Sequence, residues 1–310
     1  MAGGGHVRTV GVVAHPRNPV AASLDVITRF ARRHGVRVVA PAADARRLGH
    51  GLLPVPPDEF ADQVDAVISL GGDGTMLGAM RLVAGRPTPV LGVNHGNLGF
   101  LVELAPTDLP AALDRLTDGD FSLEPHSCIQ VEHAGAQPAV AFNDAVLTSA
   151  RPWTAVNVDL SVNGVRHGYY RCDAVVACTP TGSTAYNHAA GGPVISPSVR
   201  AIGLTPVAPM TGIDRTVLFG ADDALTLANP SDAHAIRLTL DGADAREVGP
   251  GGELTLALHP SPVNLVRFDA AAHARRSRVK LSLLDLPLRP DQLLELVPED
   301  VRERARRLPG

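Results

Sequence analysis

The feature that most narrows the folds open to this chain is a glycine cluster, Leu70-Gly71-Gly72-Asp73-Gly74-Thr75. It is set directly after an apolar run, Asp65 to Leu70, and directly before a helix-like run, Met76 to Val83. A strand that passes into a helix through several glycines is the joint of a βα unit. There the backbone can take positive φ, and its N–H groups can approach a ligand without interference from Cβ atoms. The N-terminus of the following helix favours an anion, so a phosphate fits. The cluster is not a Walker A loop, which needs Lys beside Ser or Thr, because the only lysine of the chain is Lys280. It is not the GxGxxG dinucleotide fingerprint either, which has no match at the first strand, and this cluster carries an acid at its centre. A carboxylate inside a phosphate cradle raises the cost of binding an anion unless Mg²⁺ intervenes or the acid accepts a proton from an attacking hydroxyl. Both uses suit phosphoryl transfer. The same letters also fit a plain strand-to-helix turn in which Asp73 caps the helix.

The surrounding pattern extends this joint into a domain. Val7 to Ala14 reads as a strand, Pro19 to His34 as an amphipathic helix ended by Gly35, and Val36–Ala40, Asp65–Leu70 and Val90–Val93 as further strands. Strands alternating with helices imply a parallel sheet. From about Phe121 strands follow strands: Cys128–Glu132, Val140–Thr148, Val156–Val162, Ala174–Cys178, Ala201–Val207, Ala235–Leu240, Glu253–His259 and Val263–Phe268. Turns fall at Asn163-Gly164, at Asp241-Gly242 and between Gly249 and Gly252. The expected fold class is therefore α/β plus β. A Rossmann-like α/β domain with a parallel sheet covers 1–122, a β-sandwich domain covers 123–270, and a tail covers 271–310. The tail suits an exposed amphipathic helix, a frayed end or a segment packing back on the N-terminal domain.

Composition removes other classes. A net charge of −4 gives no broad basic field, so neither nucleic acid nor an anionic membrane is an expected partner. Three cysteines, Cys128, Cys172 and Cys178, lack CxxC or Cys/His spacing, which argues against a disulfide framework or structural zinc and for buried thiols. No segment reaches roughly 18 uninterrupted apolar residues, and the N-terminus lacks an apolar signal core, so a soluble cytoplasmic protein is expected. Histidines show no HExxH spacing, and only His188 is placed near a site. There is no GxSxG elbow, and Ser183 has no discernible base, which disfavours a hydrolase.

Four ordered segments together resemble the NAD kinase family: Gly71-Gly72-Asp73-Gly74-Thr75, Asn94-His95-Gly96-Asn97-Leu98-Gly99-Phe100-Leu101, Asn143-Asp144, and Thr179-Pro180-Thr181-Gly182-Ser183-Thr184-Ala185-Tyr186 continuing to Gly191-Gly192-Pro193. The resemblance covers roughly residues 7 to 270. It implies an α/β N-terminal domain, a β-sandwich C-terminal domain, assembly as homodimers or homotetramers, and transfer of the ATP γ-phosphoryl group to the 2′-hydroxyl on the adenosine side of NAD. By the same resemblance Asp73 would be the general base. Gly71, Gly72, Gly74 and Thr75 would donate N–H groups to phosphates, and Asn94 and Gly96 would line the nucleotide cleft. Asn143, Asp144, Asp173, Thr184, Ala185, Tyr186, His188 and Ala189 would bind NAD. Mg²⁺ would be held mainly by ATP phosphates, with no dedicated protein ligands.

The pattern is broken in places. The family usually has Glu where this chain has Asp144, Gly where it has Ala174, and Ser where it has Ala189. Pro209-Met210-Thr211-Gly212 stands for Pro-His-Ser-Leu, and Arg215-Thr216 for Arg-Pro. Lost polar contacts shift discrimination between acceptors. A kinase of the same fold acting on another nucleoside or nucleotide hydroxyl therefore stays open, as does a catalytically idle nucleotide-binding regulator.

Overall fold

A computed structural model describes residues 7–96, 99–232, 234–269, 271–273 and 289. The first half is β1 (Thr9–Ala14), α1 (Ala21–His34), β2 (Arg37–Pro41), α2 (Ala42–Leu48), β3 (Leu53–Val55), β4 (Ala66–Gly71), α3 (Asp73–Leu82), β5 (Pro89–Asn94) and α4 (Leu109–Asp118). Strand order β5-β4-β1-β2-β3 is parallel throughout. Both sheet faces are covered, which is why β1 and β4 read as continuous apolar runs. Val10, Val12, Ile68 and Leu70 pack with Leu24, Ile27 and Phe30 of α1 and with Leu109 and Leu113 of α4 on one side. Val13, Val67 and Val90 pack with Met76, Leu77 and Met80 of α3 and with Phe60 on the other. Gly35 closes α1 at φ 67°, as its position after the helical run predicts.

The second half is built from β6 (Ser122–His133), β7 (Ala139–Ala141), β8 (Asp144–Ser149), β9 (Val156–Val162), β10 (Val165–Cys172), β11 (Ala174–Cys178), α5 (Tyr186–Ala189), β12 (Ala201–Val207), β13 (Thr211–Gly212), β14 (Val217–Gly220), β15 (Leu225–Ala228), β16 (Ile236–Leu240), β17 (Asp244–Val248) and β18 (Glu253–Arg267). Six strands, ordered β14-β12-β11-β8-β16-β17, form one antiparallel sheet. It faces β9, β10, β15, β18 and β6 across a core of Leu147, Val158, Leu160, Val175, Leu204, Leu238 and Leu256, and so makes a sandwich. The facing sheet does not stop at the sandwich. The far end of β18 pairs in parallel with β5, at Asn264↔Pro89 and Leu265↔Val90, so one sheet runs from β3 to β13 through both halves.

Three sequence readings change. Glu253–His259 and Val263–Phe268 are one strand with a register irregularity between His259 and Val263. Val140–Thr148 is two strands, because β7 pairs with β6 in the large sheet while β8 lies between β11 and β16 in the other. The chain changes sheets at Phe142-Asn143, and buried Phe142 sits in the core cluster of α3. The hairpin strand β10 carries exposed Val165 and alternates weakly, which hid it from a reading of hydrophobic period. The readings of the tail beyond 273, and those of Asn97 and Leu98, fall on residues outside those described.

Candidate active site

The glycine cluster forms the end of β4 and the start of α3, where parallel sheets place ligands beyond the carboxyl ends of their strands. None of its glycines has positive φ; Gly72, the N-cap, sits at φ −99° and ψ −165°. Space, not handedness, demands them. A Cβ on Gly71 would lie 2.1 Å from Thr75 Oγ1, whereas one on Gly72 or Gly74 would meet no protein atom within 4 Å and would fill the cleft instead. The Thr75 amide donates to Gly72 O (3.1 Å), so its N–H is turned into the helix and not toward a phosphate. Gly71 belongs to β4, and its carbonyl accepts the His95 N–H. The amides of Gly72, Asp73 and Gly74 remain as the anion donors of the first turn.

Asp73 does not act as the helix cap. It follows the N-cap, half-buried, and its carboxylate reaches across to the loop after β5, accepting Phe100 N–H at Oδ2 (2.7 Å) and Leu101 N–H at Oδ1 (3.0 Å). Gly99 makes this possible, since a Cβ there would lie 2.1 Å from Asp73 Oδ1. Each oxygen keeps a lone pair, so the acid is oriented yet still able to accept a proton. Behind it, Leu101 O accepts Arg267 Nη1 (2.9 Å), and Arg267 is paired with Glu103 and Glu124. Burial would raise the Glu124 carboxyl, but His126 and Arg267 together hold it well below the ordinary carboxylate range.

A cleft of about 690 Å³ opens in front, lined in part by Gly72, Gly74, Thr75, Asn18, His95 and Gly96. Asn94 Oδ1 accepts Gly96 N–H (3.0 Å), and Asn18 Nδ2 donates to His95 O (2.6 Å), so Asn94 shapes the turn after β5. His95 Nε2 meets Ser23 Oγ at 3.0 Å; burial lowers its pKa against the opposing effect of the Pro19 carbonyl, which favours a neutral ring. His15 also lines the cleft, so the placing of His188 alone near a site is corrected. Neither His95 nor Asn18 carries a local signal beyond its neighbours; the sheet order brings them together.

The second group forms where β8 and β11 run side by side. Thr179 N–H donates to Asn143 O (2.9 Å) and Thr179 Oγ1 to Phe142 O (2.6 Å), so the sheet-changing turn and the Thr179–Tyr186 segment are locked to each other. Gly182 lies directly on that turn, since its Cβ would fall 1.9 Å from Asn143 O. Asp144 is 6% exposed. Its pKa is pushed up to about 6, first by burial and then by the Asp241 carboxylate, against the Tyr186 backbone amide that bonds it. Tyr186 is exposed, not core, and its ring is available for stacking. Ser183 is internal, donating to Pro180 O and accepting Ile195 N–H, and Thr184 Oγ1 donates to Thr181 O (3.1 Å). Ala185 and His188 are half-buried and Ala189 is exposed beside them.

Asp173 is not brought to this cluster. It stands at the opposite end of β11 from Thr179, about 20 Å of extended chain away. Asn187, which the sequence reading passed over, is the hub of the segment. Its Nδ2 donates to Ser183 O and Pro193 O, and its Oδ1 accepts Thr205 Oγ1, which also meets Thr216 Oγ1. The departure at Thr216 thus falls in packing, while Met210 lies exposed in the loop between β12 and β13, its amide donating to Arg171 O. The three cysteines are buried free thiols, raised by burial to about 12, 11 and 12 for Cys128, Cys172 and Cys178.

Comparison with known proteins places these two groups in one context. Residues 10–121 match the family model of the ATP-NAD kinase N-terminal domain, and residues 142–268 that of the ATP-NAD kinase C-terminal domain. A protein named NAD kinase from Symbiobacterium thermophilum is 37% identical over 252 residues, 80% of this chain and 89% of its own. One of the same name from Geotalea daltonii is 32% identical over 276 residues, 82% and 97% of the two chains. Among solved structures, yeast NADH kinase complexed with NADH superposes with a TM-score of 0.80 at 21% identity, covering 92% of this chain and 90% of that one. An NAD kinase from Archaeoglobus fulgidus in complex with ATP gives 0.67 at 23%, covering 89% and 98%.

Proposed function

This chain belongs to the NAD kinase family, and from that premise we propose that it transfers the γ-phosphoryl group of ATP to the 2′-hydroxyl of the adenosine ribose of NAD, giving NADP. The observation that carries the mechanism is Asp73, its carboxylate oriented by the Phe100 and Leu101 amides, standing between Gly72 and Gly74, which line the open cleft. In the proposed step the ribose oxygen bonds to the γ-phosphorus, the bond from that phosphorus to the bridging oxygen breaks with ADP leaving, and the hydroxyl proton passes to the Asp73 carboxylate. Gly72, Asp73 and Gly74 donate N–H groups to the phosphate oxygens, and the open space over Gly72 and Gly74 admits those oxygens to the backbone.

Asn143 and Asp144 are assigned to the ribose, since an amide offers both donor and acceptor and an ionised carboxylate accepts from hydroxyls. Tyr186, with Thr184, Ala185, His188 and Ala189 around it, is assigned to the base. Asp173 is assigned to NAD on the family resemblance alone. The residues of the cleft fit a divalent cation held chiefly by phosphate, because Asp73 is the one carboxylate the cluster offers and its oxygens are shared with amides. Mg²⁺, bound there through ATP, would neutralise charge developing on the phosphoryl oxygens.

A homodimer or homotetramer is supported by β10, which among the described residues is covered on its outer side by β13 at only Tyr170 and Arg171 and which exposes Val165 and Tyr169. Among the described residues no helix is long and apolar enough to cross a membrane. Buried free thiols suit a reducing compartment, and we place the enzyme in the cytoplasm. The purified protein, offered ATP and Mg²⁺ with NAD, NADH or other nucleosides and nucleotides in a matrix, is expected to give NADP from NAD in a coupled NADP-specific assay. Phosphorylation of a different acceptor alone, or NAD binding without product under any donor, would overturn the reading.

A further inference from the structure

The turn Asp241-Gly242 joins β16 to β17, and the sequence marks it only as a turn. Its backbone takes φ 47° at Asp241 and 69° at Gly242, the left-handed pair that a tight hairpin needs and that Asp tolerates better than most side chains. The Asp241 side chain is fully buried. Oδ1 accepts Asn143 N–H (2.7 Å) and Asp144 N–H (3.2 Å), Oδ2 accepts Phe142 N–H (3.0 Å) and Arg81 Nη1 (2.9 Å), and the Asp241 N–H donates to Asp144 O (2.9 Å). A carboxylate has about four lone-pair sites, and here donors occupy all of them. Asp241 therefore has nothing left to offer a substrate, and its work is done on the turn it grips. Arg81 belongs to α3, about 12 Å along the helix from Asp73. One helix thus begins at the phosphate loop and ends on the carboxylate that holds the sheet-changing turn.

We propose that Asp241 and Arg81 are a positioning pair that fixes the Asn143-Asp144 turn against α3 and sets the charge on Asp144 with which the acceptor ribose is bound. The proposal rests on the assignment of Asp144 to the ribose. The groups facing Asp144 are few: Asp241 from the β16–β17 turn with Arg81 behind it, the Tyr186 amide, and Cys178, its neighbour on β11, whose thiol is held neutral; Cys128, also neutral, faces Asp241. The Asp241 charge favours a proton on Asp144, and the Arg81 charge offsets it. Removing one or the other should move Asp144 in opposite directions, whereas a pair that merely holds structure would not distinguish the signs.

The test titrates the Asp144 carboxyl by ¹³C NMR in the whole enzyme, in Asp241→Asn and in Arg81→Gln, beside NAD KM and kcat measured across pH. The parent Asp144 is expected to titrate near pH 6, moving lower in Asp241→Asn and higher in Arg81→Gln. In Asp241→Asn the KM for NAD should rise roughly tenfold to a hundredfold, with kcat changed far less, because a charged hydrogen-bonded anchor of the turn is lost. Shifts of one sign in both variants, or none, would overturn the inference. If Asp241→Asn fails to fold, Arg81→Gln decides alone, since an unmoved Asp144 there refutes the pair. If both shifts appear but Asp144→Asn leaves NAD affinity unchanged at every pH, the ribose assignment has failed while the electrostatic coupling stands.

Discussion

The glycine loop after β4 and the Thr179–Tyr186 segment after β11 are both strand-to-helix passages rich in small residues, yet they are held in opposite ways. The first takes its shape from its own chain: Gly72 caps α3, Thr75 bonds back to Gly72, and the groups that orient Asp73 lie only 27 and 28 residues away. The second is shaped by distant chain, through Thr179 on Phe142 and Asn143, and through Asp241 and Arg81, which meet across 160 residues. On the proposed assignment, chemistry belongs to the locally built loop and recognition to the one built from afar. The Asp73 carboxylate is thereby kept in place by few contacts, while the Asn143-Asp144 turn depends on the agreement of both halves of the molecule.

The sharpest way to test that division is Asp73→Asn. The amide oxygen still accepts one of the two loop amides, so the fold should persist while kcat falls by about 10²- to 10⁴-fold, as expected for a lost general base. Initial rates together with a thermal melt check it, and near-normal turnover would remove Asp73 from the chemistry.

Next comes a contrast of two glycines. Gly182→Ala drives a Cβ onto Asn143 O and must displace the turn, so it should cost roughly 2 kcal/mol or more of stability and raise the KM for NAD at least tenfold. Gly72→Ala meets no protein atom, so it should leave the melting temperature within a degree or two and raise only the KM for ATP. If Gly72→Ala instead affected NAD and spared ATP, the assignment of the two regions would be reversed.

The smallest effect is that of pH. Asp144 must be ionised to accept ribose hydrogen bonds, so NAD affinity should fall as pH drops through about 6, and Asp144→Asn should flatten this dependence. Stability runs the other way. The folded-state pKa is raised above the ordinary 3.8, so the folded state holds the extra proton between those values, and Asp144 weakens the fold as pH rises from 3.8 to about 6. Above that window Asp144→Asn should gain up to roughly 3 kcal/mol and at pH 3.5 almost nothing, as denaturant midpoints at the two pH values would reveal.

The first of these regions was legible in the sequence and the second only in part. Continuous apolar runs with glycine and helix signals between them fix a parallel α/β unit, because a strand buried on both faces leaves no polar alternation to misread. The position of Gly71 to Thr75 at that joint, and the acid within it, follow from the order of the letters alone. The ordered motifs identify the family in the same way. What the letters could not decide is every relation that spans the sandwich. Val140 to Thr148 looks like one strand because apolar residues flank Asn143-Asp144 on both sides, yet the chain changes sheets at Phe142-Asn143: β7 pairs with β6 just upstream and β8 with β16 some 90 residues downstream. Asp241 looks like a turn residue because nothing beside it in sequence reveals the three amides and the arginine that converge on it. Hydrophobic period is a property of neighbouring residues, whereas hydrogen bonds between remote backbone segments exist only once the sheets are paired. The glycine loop and its acid were therefore determined by local sequence, and the Asn143-Asp144 turn, the buried carboxylate that grips it and its tether to α3 by the tertiary fold.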